Sequence, residues 1–168
     1  MTSSELLLDA FGRVDELVRA AVGGLSVEQL TFRPDGHANS IAWLVWHLTR
    51  IQDDHLAAPA NTEQIWTSQG WAERFGFSFD PSETGYGHGP ADVAAVTGTA
   101  ELLTGYHAAV HERTCDFVRE LSETDLGRVV DRSWDPPVTL AVRLVSVISD
   151  GLQHAGQAAY LRGLALRL

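Results

Sequence analysis

Asn39-Ser40-Ile41-Ala42-Trp43-Leu44-Val45-Trp46-His47-Leu48, continuing to Leu56, reads as a single helix that carries a histidine on an apolar face. Pro34-Asp35-Gly36 breaks the chain before it, Asn39 or Ser40 caps it, and Pro59 follows its end. At about 100° per residue, Ser40, Trp43, Leu44, Ile51 and Asp54 share the stripe of His47, so the imidazole is expected to point inward. A histidine alone on such a face is more often a hydrogen-bonded core residue than a ligand. Its meaning therefore depends on what the other helices bring.

Three further helices are expected. Leu7, Phe11, Val14, Val18 and Ala21 recur at helical spacing before Gly23-Gly24. A third helix spans about Thr99 to Leu121, with Leu103, Tyr106, Val110, Phe117 and Leu121 inward, after a short turn behind Pro90. The fourth follows Pro136-Pro137, running from about Thr139 to Leu164, and is apolar over most of its circumference, which places it centrally or at an interface. Residues 58–90 keep no period and are rich in glycine and aromatics, so they read as a long crossover folded over the bundle. Leu25-Ser26-Val27-Glu28-Gln29-Leu30 and Leu121-Ser122-Glu123-Thr124-Asp125-Leu126 form a faint repeat of capped turns, one after each odd helix. The expected fold is an all-α four-helix bundle, residues 1–168 as one domain, with helices one and two, and three and four, as the paired units.

Composition narrows the chemistry. With 168 residues, 45% of them hydrophobic, the chain has core enough to fold without a disulfide or structural metal. All 12 basic residues are arginine, so Schiff-base chemistry and a P-loop are excluded. A net charge of −10 without a basic patch argues against nucleic acid and anionic lipid as partners. Met-Thr-Ser-Ser-Glu at the start has neither the basic nor the apolar region of a signal peptide, and no apolar run is long enough to span a bilayer; a cytoplasmic protein is expected. Cys115 stands alone and reads as inert packing.

Two histidine pairings compete for a metal. On the fourth helix Asp150 and His154 lie four apart, with Gln157 in line, and can converge on one ion. They also belong to a polar stripe with Arg143, Ser146 and Gln153, and spacing alone leaves a solvent-facing stripe equally open. The apolar surroundings, from Val142 to Ala159, favour a stripe that borders an internal pocket. His107 and His111 are the tidier pair by spacing, but an apolar centre near Tyr106, Val110 and Phe117 places His107 at the margin and His111 toward solvent. His55 ends the second helix, and His37 and His88 lie in loops where solvation explains them.

The stretches Asn39 to Leu48 and Asp150-Gly151-Leu152-Gln153-His154-Ala155-Gly156-Gln157 resemble the DinB-like superfamily of metal-binding four-helix bundles, which includes mycothiol-dependent maleylpyruvate isomerase and related thiol S-transferases. The resemblance covers nearly the whole chain. It implies one divalent ion, zinc before nickel or another first-row metal, on His47, Asp150 and His154, with aspartate where the superfamily often has a third histidine. It also implies a low-molecular-weight thiol as cosubstrate, activated by the metal to attack a small electrophile. Trp43 and Trp46, with Trp66 and Trp71 of the crossover, are then candidates to wall the pocket. Arg50 either meets an acidic thiol or forms a surface salt bridge. The alternatives are a metal-binding bundle without transferase activity, a hydrolase using metal-bound water, and a structural or ligand-binding dimer; a homodimer is expected in any case from the apolar fourth helix.

Overall fold

The computed structural model describes residues 1–167; Leu168, the last residue of the expected domain, lies outside them. Four long helices form an all-α bundle: α1 (Ser3–Val22), α3 (Ile41–Ala57), α7 (Ala100–Glu120) and α9 (Leu140–Ala165). Their starts are fixed by side-chain caps. Thr2, Ser40, Thr99 and Thr139 each accept a hydrogen bond from the backbone N–H three residues on, which satisfies donors that the first helical turn leaves unpaired. The repeat seen in the sequence is real structure. Ser26 and Ser122 cap α2 (Val27–Thr31) and α8 (Glu123–Leu126), both with reciprocal capping boxes.

The pairing of the helices differs from the expectation. α3 packs against α9 and α7, α1 packs against the same two, and α1 lies diagonally across the bundle from α3. A short loop obliges consecutive long helices to be neighbours, whereas a long one leaves the pairing free. Here residues 23–40 and 121–139 each contain a helical turn of their own, long enough to cross to the far corner. The second of these connections also holds an antiparallel pair of short strands that no sequence pattern announces, β1 (Val129–Asp131) and β2 (Val138–Thr139).

The central helix is α3 rather than α9. Every residue from Ile41 to Asp53 is buried, polar ones included. Three sides are covered by α7, α9 and α2, and the fourth by the crossover, which contains α4 (Ile65–Ser68), α5 (Trp71–Phe75) and, at its end, α6 (Pro90–Ala95). As expected of its aromatics, the crossover folds down on the bundle: Trp66, Phe75 and Phe77 pack with Trp46 and Tyr106. The helix α9 buries Leu140, Leu144, Val147, Gly151, Ala155, Ala158 and Leu161 along one seam. Its outer face leaves Val142, Val145, Leu152 and Tyr160 exposed.

Candidate metal centre

His47 projects from the middle of α3 toward α9, where Asp150 and His154 stand one turn apart. One ligand atom from each lies within 4.8 Å of the other two, and among the described residues this is the group of three metal-ligating side chains that comes so close. The histidine tautomers follow from their partners. His47 Nδ1 lies 2.6 Å from the carbonyl oxygen of Thr84, which can only accept, so Nδ1 carries the proton and Nε2 keeps its lone pair. His154 Nδ1 likewise donates to Gln157 Oε1 at 2.9 Å, and its Nε2 faces Asp150 Oδ1 at 3.4 Å. Both rings thus turn a lone pair to the same point, the arrangement by which outer partners orient metal-binding histidines.

The carboxylate is incomplete without a further partner. Asp150 Oδ2 is inaccessible to solvent and finds no hydrogen bond among the described residues, and a buried carboxylate oxygen left so costs free energy. A cation between the three side chains removes that cost, so the donor set fits a divalent ion. Burial holds the His47 pKa below its ordinary value, favouring the neutral ring a metal requires. The hydrogen bond with Asp150 raises that of His154, so a proton competes with a metal there.

The crossover supplies a second layer that the sequence reading did not find. The Thr84 carbonyl reaches His47 because Gly85 follows it with φ +93°; a Cβ at Gly85 would lie 2.8 Å from His47 Nδ1 and about 3 Å from Trp46 and Trp43. His88, expected to be solvated, is instead sandwiched: it accepts from Trp43 Nε1 at 3.2 Å, donates to Glu83 Oε2 at 2.8 Å and stacks on Trp46. Trp43 itself stacks on His47 with centroids 4.6 Å apart and meets His154 edge-on. The one signal available beforehand was the density of glycines around these residues, which marked the loop without showing where it lands.

Other expectations need correcting. Arg50 is 0% exposed, so it is no surface salt bridge. Its donors are taken by the Glu83 and Pro81 carbonyls and Gln64 Oε1, and its guanidinium lies over Trp66. It fastens the crossover, and its complete burial keeps it from meeting a thiol. Trp46 stands one layer behind the centre, and Trp66 and Trp71 pack around Tyr106 away from it. His107 is 1% exposed rather than marginal. Seven and eleven residues on from it, Thr114 and Val118 fall within about 20° on the helix and are buried too, whereas Phe117, which had drawn the inferred axis away, is only partly buried. His37 is exposed, as expected of a loop residue.

Beside His154 a groove of about 690 Å³ opens between α9 and the loop before α3, lined by Asp35, His37, Asn39, Gln157 and Tyr160 among others. Gln157 joins it to the centre through its bond to His154.

Comparison with known proteins bears on the fold and the family. No protein of curated function matches the chain. The crystal structure of a conserved protein from Enterococcus faecalis is similar to it throughout, with a TM-score of 0.92 and 32% sequence identity over 100% of this chain and 99% of that one. Residues 6–165 match the family described as mycothiol S-transferase. With that match spanning nearly the whole sequence, the chain belongs to the mycothiol S-transferase family.

Proposed function

We propose that the protein is a metal-dependent transferase or isomerase that brings a low-molecular-weight thiol of the mycothiol type to a small electrophile. The observation that carries this reading is the convergence of His47, Asp150 and His154 around an unpartnered, buried Asp150 Oδ2. Two imidazoles and a carboxylate suit zinc, with nickel the next candidate, and three protein donors are one fewer than a closed structural zinc site uses. A bound ion supplies Lewis acidity that lowers the pKa of a thiol, so that thiolate is available at neutral pH.

The remaining work belongs to this chain's residues. Thr84 and Gln157 hold the two imidazoles in the tautomer with Nε2 free. Trp43 covers the His47 ring and keeps water from that side. His154 and Asp150 retain 18% and 29% side-chain exposure, so a thiol enters, and its proton leaves to solvent, along the open α3–α9 side. The groove at Gln157 and Tyr160 has carboxylate, amide and phenol groups suited to the polar body of such a thiol. We infer similarly that residues 1–168 act as one domain, that the protein works in the cytoplasm and that it pairs as a homodimer. Support comes from the net charge of −10, the single cysteine and the apolar outer face of α9; no helix among the described residues is long and apolar enough to cross a membrane.

The test is elemental analysis of untagged protein followed by turnover assays with mycothiol, glutathione and bacillithiol against several electrophiles. Zinc-loaded protein is expected to accelerate thiol consumption. His47→Ala and His154→Ala should lose metal and lower the rate by 10²-fold or more, on the order of 3 kcal/mol of transition-state stabilisation. Metal bound at these residues with no thiol-dependent turnover would leave a metal-binding bundle or, if water alone suffices, a hydrolase.

A further inference from the structure

The interface of α1 and α7 contains a second pair of buried acceptors that the proposed reaction does not use. Thr49 Oγ donates its proton to the Val45 carbonyl at 2.7 Å, so in its 3.0 Å contact with His107 the ring must be the donor, through Nδ1–H. That leaves a lone pair on His107 Nε2. It points at Asp15 Oδ1 of α1, 3.8 Å away. Both atoms are inaccessible to solvent, and neither finds a hydrogen bond among the described residues. Two lone pairs face each other in a dry interior, where nothing screens them.

Three occupants relieve such a clash, and the geometry separates them. A proton on Nε2 would leave the N–H donor 3.8 Å from its acceptor, beyond hydrogen-bond range, and burial pushes the His107 pKa down to about 4, so the ring is neutral at neutral pH. A water bonded to both atoms at normal distances needs them roughly 4.4 Å apart to keep its own angle, and the gap is shorter. A first-row divalent ion at about 2.1 Å from each ligand spans roughly 3.4 Å at the tetrahedral angle and 3.8 Å at about 130°. The cation fits without backbone movement.

The surroundings are those of a metal site. The Thr49 hydroxyl orients the imidazole as second partners of metal histidines do. Arg19 Nε donates to the other carboxylate oxygen, Asp15 Oδ2, at 2.8 Å, which fixes the carboxylate and leaves Oδ1 for an ion. His111, one turn beyond His107, has its ring stacked on it with centroids 6.2 Å apart. It is half-buried, and its hydrogen-bonding contact among the described residues is with the Cys115 thiol, at 3.5 Å; one turn from His107, it is the side chain placed to become a third ligand by rotation about its own bonds.

We propose that Asp15, His107 and His111 form a second divalent-cation site, of the zinc, cobalt or nickel class, that ties α1 to α7 on the side of α3 opposite His47. The experiment is titration of the full chain, stripped of metal by chelator, with Co²⁺ followed by visible absorption, and elemental analysis after desalting. Two ions per chain are expected in the wild type, and one in His47→Ala. His107→Gln and, as a milder change, Asp15→Asn should each reduce two to one and remove the change in absorption due to the second ion. Co²⁺ should raise the Tm of His47→Ala, and raise it no longer when His107→Gln is added. One ion per chain, lost with His47→Ala and kept in both Asp15→Asn and His107→Gln, would overturn the second site while leaving the first intact. An ion lost only through Asp15 and His107 would instead support it and refute the first.

Discussion

At His47 a single backbone carbonyl decides which ring nitrogen is free, and that carbonyl is in place because residue 85 has no side chain. Gly85→Ala should therefore act on the centre from a distance in sequence. The new methyl meets His47 Nδ1, Trp43 and Trp46 in a left-handed backbone conformation. A loss of about 1–3 kcal/mol in urea denaturation is expected, with a 10–100-fold weaker zinc affinity by calorimetric titration. Unchanged affinity would show that Thr84 does not orient the ring. His55 gives the pH test. Arg143 donates toward its Nδ1 at 3.3 Å, and burial first, then that guanidinium, lower its pKa. The unfolded chain therefore binds a proton here before the native one does. His55 contributes stability that is full above about pH 6.5 and is lost as pH falls through the native midpoint. Its NMR titration should centre below 6.5, and Arg143→Gln should move the midpoint up. The three side chains of the candidate centre were legible in the sequence because i, i+4 spacing aligns Asp150 with His154 and the resemblance to a known family added His47 from another helix; Thr84, Gly85 and His88 were not, because a loop carries no period to say where it lands.

Among the elements, α3 sets the terms for the rest. Its Asp53 accepts from the Ile65 and Trp66 backbone N–H groups at 2.8 and 2.7 Å and from the Tyr106 hydroxyl at 2.9 Å, so one carboxylate caps α4 and ties α7 to it. Arg50, one turn earlier, holds Glu83 and Gln64. Together they attach the crossover that delivers Thr84. Asp53→Ala leaves two backbone donors and a buried phenol without their partner and removes the carboxylate 3.8 Å from the buried Arg50 guanidinium; about 3–5 kcal/mol of stability should be lost. Limited proteolysis should begin cutting between residues 62 and 88 before the bundle helices are attacked. Equal resistance in variant and wild type would mean that aromatic packing alone holds the crossover. The helix limits were readable to about a residue, since caps are local chemistry. The neighbour relations were not, because connections that contain their own helical turn need not bring consecutive helices together, and a fully buried helix with Arg50 and Asp53 on it looks amphipathic in a sequence.

For the whole molecule, α9 has two seams. The inner one buries Leu140, Leu144, Val147, Gly151, Ala155, Ala158 and Leu161. On the outside Val142, Val145, Ser149, Leu152, Gly156, Ala159 and Gly163 repeat at alternating steps of three and four and are all exposed. That is the spacing of a helix contact, and no element among the described residues covers it. Small residues from Gly156 onward permit close approach of another helix, and the larger Val142, Val145 and Leu152 supply apolar surface to bury. A second copy offers the same stripe, and a two-fold axis through α9 sets it against itself, as a closed dimer requires. The arrangement leaves the metal centre accessible, because His154 and Asp150 face α3 rather than the outer seam. Light scattering at micromolar concentration should therefore give twice the chain mass of 18.3 kDa. Val145→Glu with Leu152→Glu should give the monomer, since each copy adds two negative charges and the pair would set four together across the axis. These substitutions touch no core residue, so the monomer should keep its helical circular dichroism and bind zinc as before. A wild-type monomer, or a dimer that survives both glutamates, would move the interface off α9 and leave its apolar face without a partner.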